Sequence, residues 1–94
     1  MSYKLLLADD SSTVQRVIQL TFVDEFIDVT AVSDGNQAID SVKREIPDIV
    51  LADVSMPGKD GYEVAAYLRA DPGLKHVPVV LLTGAFEPLD ELKA

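Results

Sequence analysis

Three apolar runs, 5–8 (LLLA), 49–52 (IVLA) and 79–82 (VVLL), contain no polar residue, and each stops at one: Asp9 with Asp10, then Asp53, then Thr83. A strand with one face in water alternates polar and apolar residues, so an unbroken run of this length reads as a strand covered on both faces. Such strands belong to parallel sheets, whose neighbours are joined by long crossovers that lay helices over the sheet. A fourth run, 28–32 (DVTAV), interleaves Val29, Ala31 and Val32 with Asp28 and Thr30, the pattern of an edge strand.

The intervening segments carry helical spacing. Val14, Val17, Ile18 and Phe22 form one apolar stripe, and Ala38, Ile39, Val42 and Ile46 form a second. A third helix, 61–70, presents Val64 and Leu68 with Tyr67 beside them and is stopped by Asp71-Pro72-Gly73. Ser12 with Gln15, Asp34 with Gln37 and Asp60 with Glu63 all have the capping-box spacing, in which the N-cap and N3 side chains satisfy each other's backbone donors. The order is β-α-β-α-β-α-β, with Glu87-Pro88 marking the first turn of a fourth helix. Right-handed crossovers then give an α/β fold with an open, doubly wound parallel sheet.

Ninety-four residues bury one core, not two. Sixteen acidic against eight basic side chains give a formal charge of -8, which repels phosphate backbones and anionic lipid, so direct nucleic-acid and membrane partners are not expected. No cysteine is present, which removes thiolate metal sites, thiol nucleophiles and disulfides and fits a cytoplasmic location. No apolar run approaches the roughly 18 residues of a membrane span. Neither G-x-G-x-x-G nor G-x-x-x-x-G-K-[ST] occurs. His76 reads as a loop residue before Pro78, and Met56, Tyr62 and Tyr67 read as packing groups.

Ligands of open α/β sheets bind beyond the carboxyl ends of the strands, where Asp9, Asp10, Asp53 and Thr83 all fall. Taken singly, an Asp after a strand serves as a cap or turn residue. Ser11 and Ser12 already supply a cap for the first helix, however, which leaves the two preceding acids without that role. Carboxylates gathered in a crevice raise one another's pKa unless a cation lies among them, and an oxygen-only set points to a hard divalent ion, Mg2+. Mg2+ takes one or two carboxylates and keeps waters, which frees one Asp. Asp53 is the candidate nucleophile toward phosphorus, forming an aspartyl phosphate whose oxygen Thr83 could bond.

Three segments in register, 5–11 (LLLADDS), 47–61 (PDIVLADVSMPGKDG) and 77–85 (VPVVLLTGA), resemble the receiver domain of bacterial two-component response regulators, including the chemotaxis regulators. The resemblance implies a flavodoxin-like three-layer α/β/α fold with strand order 2-1-3-4. It implies that Asp53 accepts a phosphoryl group from a histidine kinase, a phosphotransfer protein or a small phosphodonor. Mg2+ would be held by Asp10, Asp53 and the backbone carbonyl of Ser55, with Asp9 acting mainly through a water. Thr83 would be the switch hydroxyl, and Ser55 and Ala85 would flank the site and tune the phosphoryl lifetime.

In the family the fold continues through a fourth helix, a fifth strand with a lysine that pairs with the phosphoryl group, and a fifth helix. Residues 1–94 are therefore expected to form a C-terminally incomplete receiver domain. Lys93 follows Thr83 by only ten residues, too few for a crossover and a parallel strand, and Lys59 reads as a solvated loop residue. Without that lysine, phosphotransfer is expected to weaken more than metal binding. The alternative is a non-phosphorylated pseudo-receiver working through protein contacts. A Mg2+-dependent phosphohydrolase would need D-x-D after the first strand, where this chain has Asp9-Asp10-Ser11. Strand 79–82 as a sheet edge invites pairing with a second copy. Sedimentation should therefore detect concentration-dependent self-association of the 94-residue chain; a monomer at every concentration would contradict this expectation.

Overall fold

The computed structural model describes residues 3–23 and 26–82. Along the chain run β1 (Tyr3–Ala8), α1 (Ser12–Thr21), β2 (Ile27–Val32), α2 (Gly35–Arg44), β3 (Ile49–Asp53), α3 (Gly61–Ala70) and β4 (Val79–Leu82). The strands pair in parallel in the order β2-β1-β3-β4, the expected doubly wound arrangement. The proposed helix at Glu87-Pro88 lies outside the described residues.

β1 is covered on both faces, with Leu5 to Ala8 all buried, whereas β3 is fully covered on one face only: Val50 and Ala52 are buried and Ile49 and Leu51 half-buried. β2 takes an edge with alternating half-buried and exposed residues, as its interleaved sequence required. The run in β4 behaves differently from expectation, since none of its four residues is buried and Val80 is 45% exposed. Among the described residues β4 pairs on one side only, with β3, so its apolar composition is not matched by cover.

The main core lies between the sheet and the helices α2 and α3. Leu6, Ala8, Val50 and Ala52 meet Ala38 and Val42 of α2 and Val64 and Leu68 of α3, with Leu74 and Val77 closing the end near β4. Met56 and Tyr67 pack against this cluster, in keeping with their reading as packing groups, whereas Tyr62, read the same way, is exposed. His76 sits exposed in the turn before β4. On the α1 side the cover is thinner: Val14, Ile18 and Phe22 are half-buried, while Val17, expected on the buried stripe, is exposed.

The helix ends follow the capping chemistry with three corrections. Asp60 and Glu63 form the full reciprocal box, whereas Asp34 Oδ1 accepts the Gln37 N–H at 2.8 Å but Gln37 Oε1 accepts the Ser33 N–H and not that of Asp34, so the box there is half made. The cap of α1 is Ser11 and not Ser12, since the Ser11 hydroxyl accepts the Val14 N–H at 3.2 Å. α2 ends at Arg44, with Glu45 extended, so Ile46 leaves the apolar stripe and stands 51% exposed. Pro47 explains this, because its ring disfavours helical dihedrals at the residue before it.

Leu68 is essentially inaccessible and Ile46 is not. Leu68→Ala should therefore cost about 2–5 kcal/mol in urea unfolding, and Ile46→Ala less than about 1 kcal/mol. Equal losses would place the core elsewhere.

Candidate acidic site at the carboxyl ends of the strands

The register sets the site. Ala8 of β1 lies opposite Ala52 of β3, so the next residues, Asp9 and Asp53, emerge side by side where the two central strands end. Asp10 follows one residue further on, at the surface. One carboxylate oxygen from each of Asp9, Asp10 and Asp53 can be chosen such that all lie within 4.8 Å of one another. Asp9 and Asp53 are 4% and 7% exposed, the buried charged side chains of the described chain.

Backbone amides fix both buried carboxylates. The Ser11 N–H donates to Asp9 Oδ1 at 2.8 Å, and the Ser55 N–H donates to Asp53 Oδ1 at 3.0 Å. Each aspartate thus spends one oxygen on a turn two residues ahead, a local bond that short acidic side chains make readily. Asp9 is further anchored through its own N–H to the Val32 carbonyl at 3.0 Å, and Val54 N–H to the Leu82 carbonyl at 2.8 Å holds the chain just after Asp53.

Glycines let the surrounding backbone close in. A Cβ on Gly61 would stand 2.5 Å from the Asp53 carbonyl oxygen, so α3 can begin against the end of β3 only with glycine there. The loop between β3 and α3 turns at Gly58, with φ +72, and then brings the Lys59 carbonyl against Gly35 at the start of α2.

Asp9 has its pKa pushed up, first by burial and then by the negative charges of Asp53 and Asp10, against the opposing pull of the Ser11 N–H. The site is therefore electrostatically incomplete when all three carboxylates are ionised. Oxygen donors on this spacing, one of them exposed, match a hard divalent cation that keeps waters in its shell.

The sequence reading brought Asp9, Asp10 and Asp53 to one end of the sheet, and the structure joins them there. Ser55 is exposed next to Asp53, touching it through its N–H. Lys59 is also exposed. Thr83, Ala85 and Lys93 lie outside the described residues. Two contributors were not read from sequence: Gly61, for which its place directly after the cap Asp60 was the available signal, and Gln15, whose spacing from Ser12 mimicked a capping box.

Open α/β sheets bind their ligands beyond the carboxyl ends of the strands, and this chain places its acidic cluster there. Residues 5–94 match the family model of the response regulator receiver domain. The chain is 40% identical over 83 residues, 88% of its length, to response regulator PleD of Caulobacter vibrioides, and that stretch is 18% of the relative. It superposes with TM-score 0.82 and 32% identity on the phosphorylated cyanobacterial phytochrome response regulator RcpA, covering 93% of this chain and 69% of that one. It also superposes with TM-score 0.81 and 33% identity on the receiver domain of sensor histidine kinase PA1611 from Pseudomonas aeruginosa PAO1, whose active site cleft coordinates a magnesium ion. The match covers 93% of this chain and 72% of that one. The chain belongs to the response regulator receiver domain family, signalling modules of two-component systems and not classical enzymes. No helix among the described residues is long and apolar enough to cross a membrane.

Because the folded chain holds the Asp9 proton more tightly than the unfolded chain does, the associated stability is complete below the ordinary carboxyl value of 3.8 and is lost as pH rises through the folded value. Asp9→Asn removes this dependence while keeping an oxygen for the Ser11 N–H. In chelator, the melting temperature of Asp9→Asn should exceed that of the parent by a margin that grows from acid to neutral pH, and Mg2+ should raise the parent more than the variant. A margin independent of pH would show that Asp9 carries no burial penalty.

Proposed function

We propose that residues 1–94 act as a cytoplasmic phosphoacceptor domain, in which Asp53 takes a phosphoryl group from a sensor histidine kinase or a phosphotransfer protein. The observation that carries this reading is the buried Asp53 carboxylate at the end of β3, with the Asp9 and Asp10 carboxylates within 4.8 Å. The family membership and the phosphorylated state of RcpA support it.

In the proposed transfer, a carboxylate oxygen of Asp53 attacks the phosphorus of a phosphohistidine. The new P–O bond forms as the P–N bond breaks, and the departing imidazole nitrogen keeps the electron pair and takes a proton from solvent. The Ser55 N–H holds Asp53 Oδ1 at 3.0 Å, so the carboxylate presents its second oxygen in one fixed direction. Asp10, Asp53 and the Ser55 carbonyl are the proposed ligands of Mg2+, with Asp9 acting mainly through a water. When bound, Mg2+ supplies positive charge against the transferring phosphoryl oxygens.

Thr83, next in sequence after β4, is the proposed switch hydroxyl: its O–H would donate to a phosphoryl oxygen and bias a two-state surface. Ala85, a small residue at a position that tunes the phosphoryl lifetime in the family, would leave the site open to water. The domain would catalyse at most its own phosphorylation and dephosphorylation.

Intact mass of the purified chain, before and after incubation with a small acyl phosphate and Mg2+, tests this directly. The expected result is one added phosphoryl group, absent in Asp53→Ala and absent in chelator. An unchanged mass in a folded chain would instead support a pseudo-receiver that works through constitutive protein contacts.

A further inference from the structure

Gln15 occupies a position that its spacing in the sequence did not announce. Its Nε2 lies 2.7 Å from the carbonyl oxygen of Asp9 and 3.1 Å from that of Val32. Two carbonyl acceptors can be met only by the NH2 end of the carboxamide, which has two N–H groups to give. The Ser33 hydroxyl oxygen stands at 3.5 Å from the same nitrogen. Ser33 in turn donates its backbone N–H to Gln37 Oε1 at 2.8 Å, at the start of α2.

These bonds tie together the places where the chain leaves the sheet. Val32 is the last residue of β2, and its carbonyl already accepts the Asp9 N–H at 3.0 Å. Asp9 is the first residue beyond β1, past the last rung of the ladder, which pairs Ala8 with Val32. Its carbonyl therefore has no strand partner, and Gln15 supplies one. With Ser11 as the N-cap, Gln15 lies on the second turn of α1, and helical side chains lean back toward the N-terminus and so over that junction. The carboxylate of Asp9 is fixed from one side by Ser11 N–H and its peptide from the other by Gln15, and Asp10 follows through the next peptide bond.

We propose that Gln15 is a positioning residue for the divalent cation site, acting through the Asp9 backbone without touching the ion. This inference rests on the reading of Asp9 and Asp10 as cation-binding residues. Partners that orient ligating groups commonly change metal affinity by about 10–100-fold when removed. Gln15→Met keeps the length of the side chain and removes both donors. Gln15→Glu also removes the donors, and it adds a negative charge near the site, which on charge alone would tighten cation binding.

The test is calorimetric titration of Mg2+ into the parent, Gln15→Met, Gln15→Glu, Asp10→Asn and Ile39→Val, at a temperature where thermal melts show each fully folded. Ile39→Val is the control for a modest stability loss in α2, away from the acidic cluster. The expected result is about 10-fold weaker binding in both Gln15 variants, including the more negative one, with Ile39→Val unchanged. Parent-like affinity in Gln15→Met, or tighter binding in Gln15→Glu, would overturn the positioning role while leaving the cation site standing, provided Asp10→Asn binds weakly. If the parent binds no Mg2+, or Asp10→Asn binds as the parent does, the cation-site reading itself fails, and the role of Gln15 fails with it.

Discussion

The parallel pairing of β1 with β3, from Leu5 opposite Ile49 to Ala8 opposite Ala52, is the constraint on which the site depends. It ends both central strands at the same level, so that the first polar residue after one run and the last residue of the other are neighbours. A slip of one residue would turn every side chain of a strand to the opposite face and part Asp9 from Asp53. The apolar runs make such a slip costly because one face of both strands is packed against α2 and α3 and β1 is buried on its other face as well. The hydrophobic core and the acidic cluster are thus two ends of one alignment.

The fold holds charge where it is electrostatically uncomfortable. Asp9 and Asp53 sit at single-figure exposure beside exposed Asp10, and Asp9 responds with a raised pKa. The backbone does not neutralise these groups; it orients them, through the amides of Ser11 and Ser55. Burial, like charge and fixed direction together leave excess negative charge at one end of the sheet, the charge that the proposed cation would offset.

Much of this was legible in the sequence, for identifiable reasons. The run 5–8 announced its own burial because β1 lies at the centre of the sheet, the run 49–52 did so for Val50 and Ala52, and the acids that end both runs announced where the carboxylates cluster. Asp34 and Asp60 were readable as caps because the chemistry is local. The misreadings occurred where a local signal had two meanings. Spacing alone could not tell whether Gln15 turns back to Ser12 or across to the ends of β1 and β2, and only the tertiary arrangement decides. Ile46 fitted the helical period of α2, but Pro47 stops the helix before it. Val17 fitted the stripe of α1 and yet faces outward, since amphipathic period sets a direction and not the amount of cover.

Three carboxylates from the ends of two strands, oriented by two backbone amides, form the proposed cation site. The most direct measurement is a proton–nitrogen correlation spectrum of the chain recorded through a Mg2+ titration. The Ser11 and Ser55 amides, which donate to Asp9 and Asp53, should shift most and saturate together at a single affinity. Small shifts spread over the surface acids, with no saturation at these two amides, would contradict it.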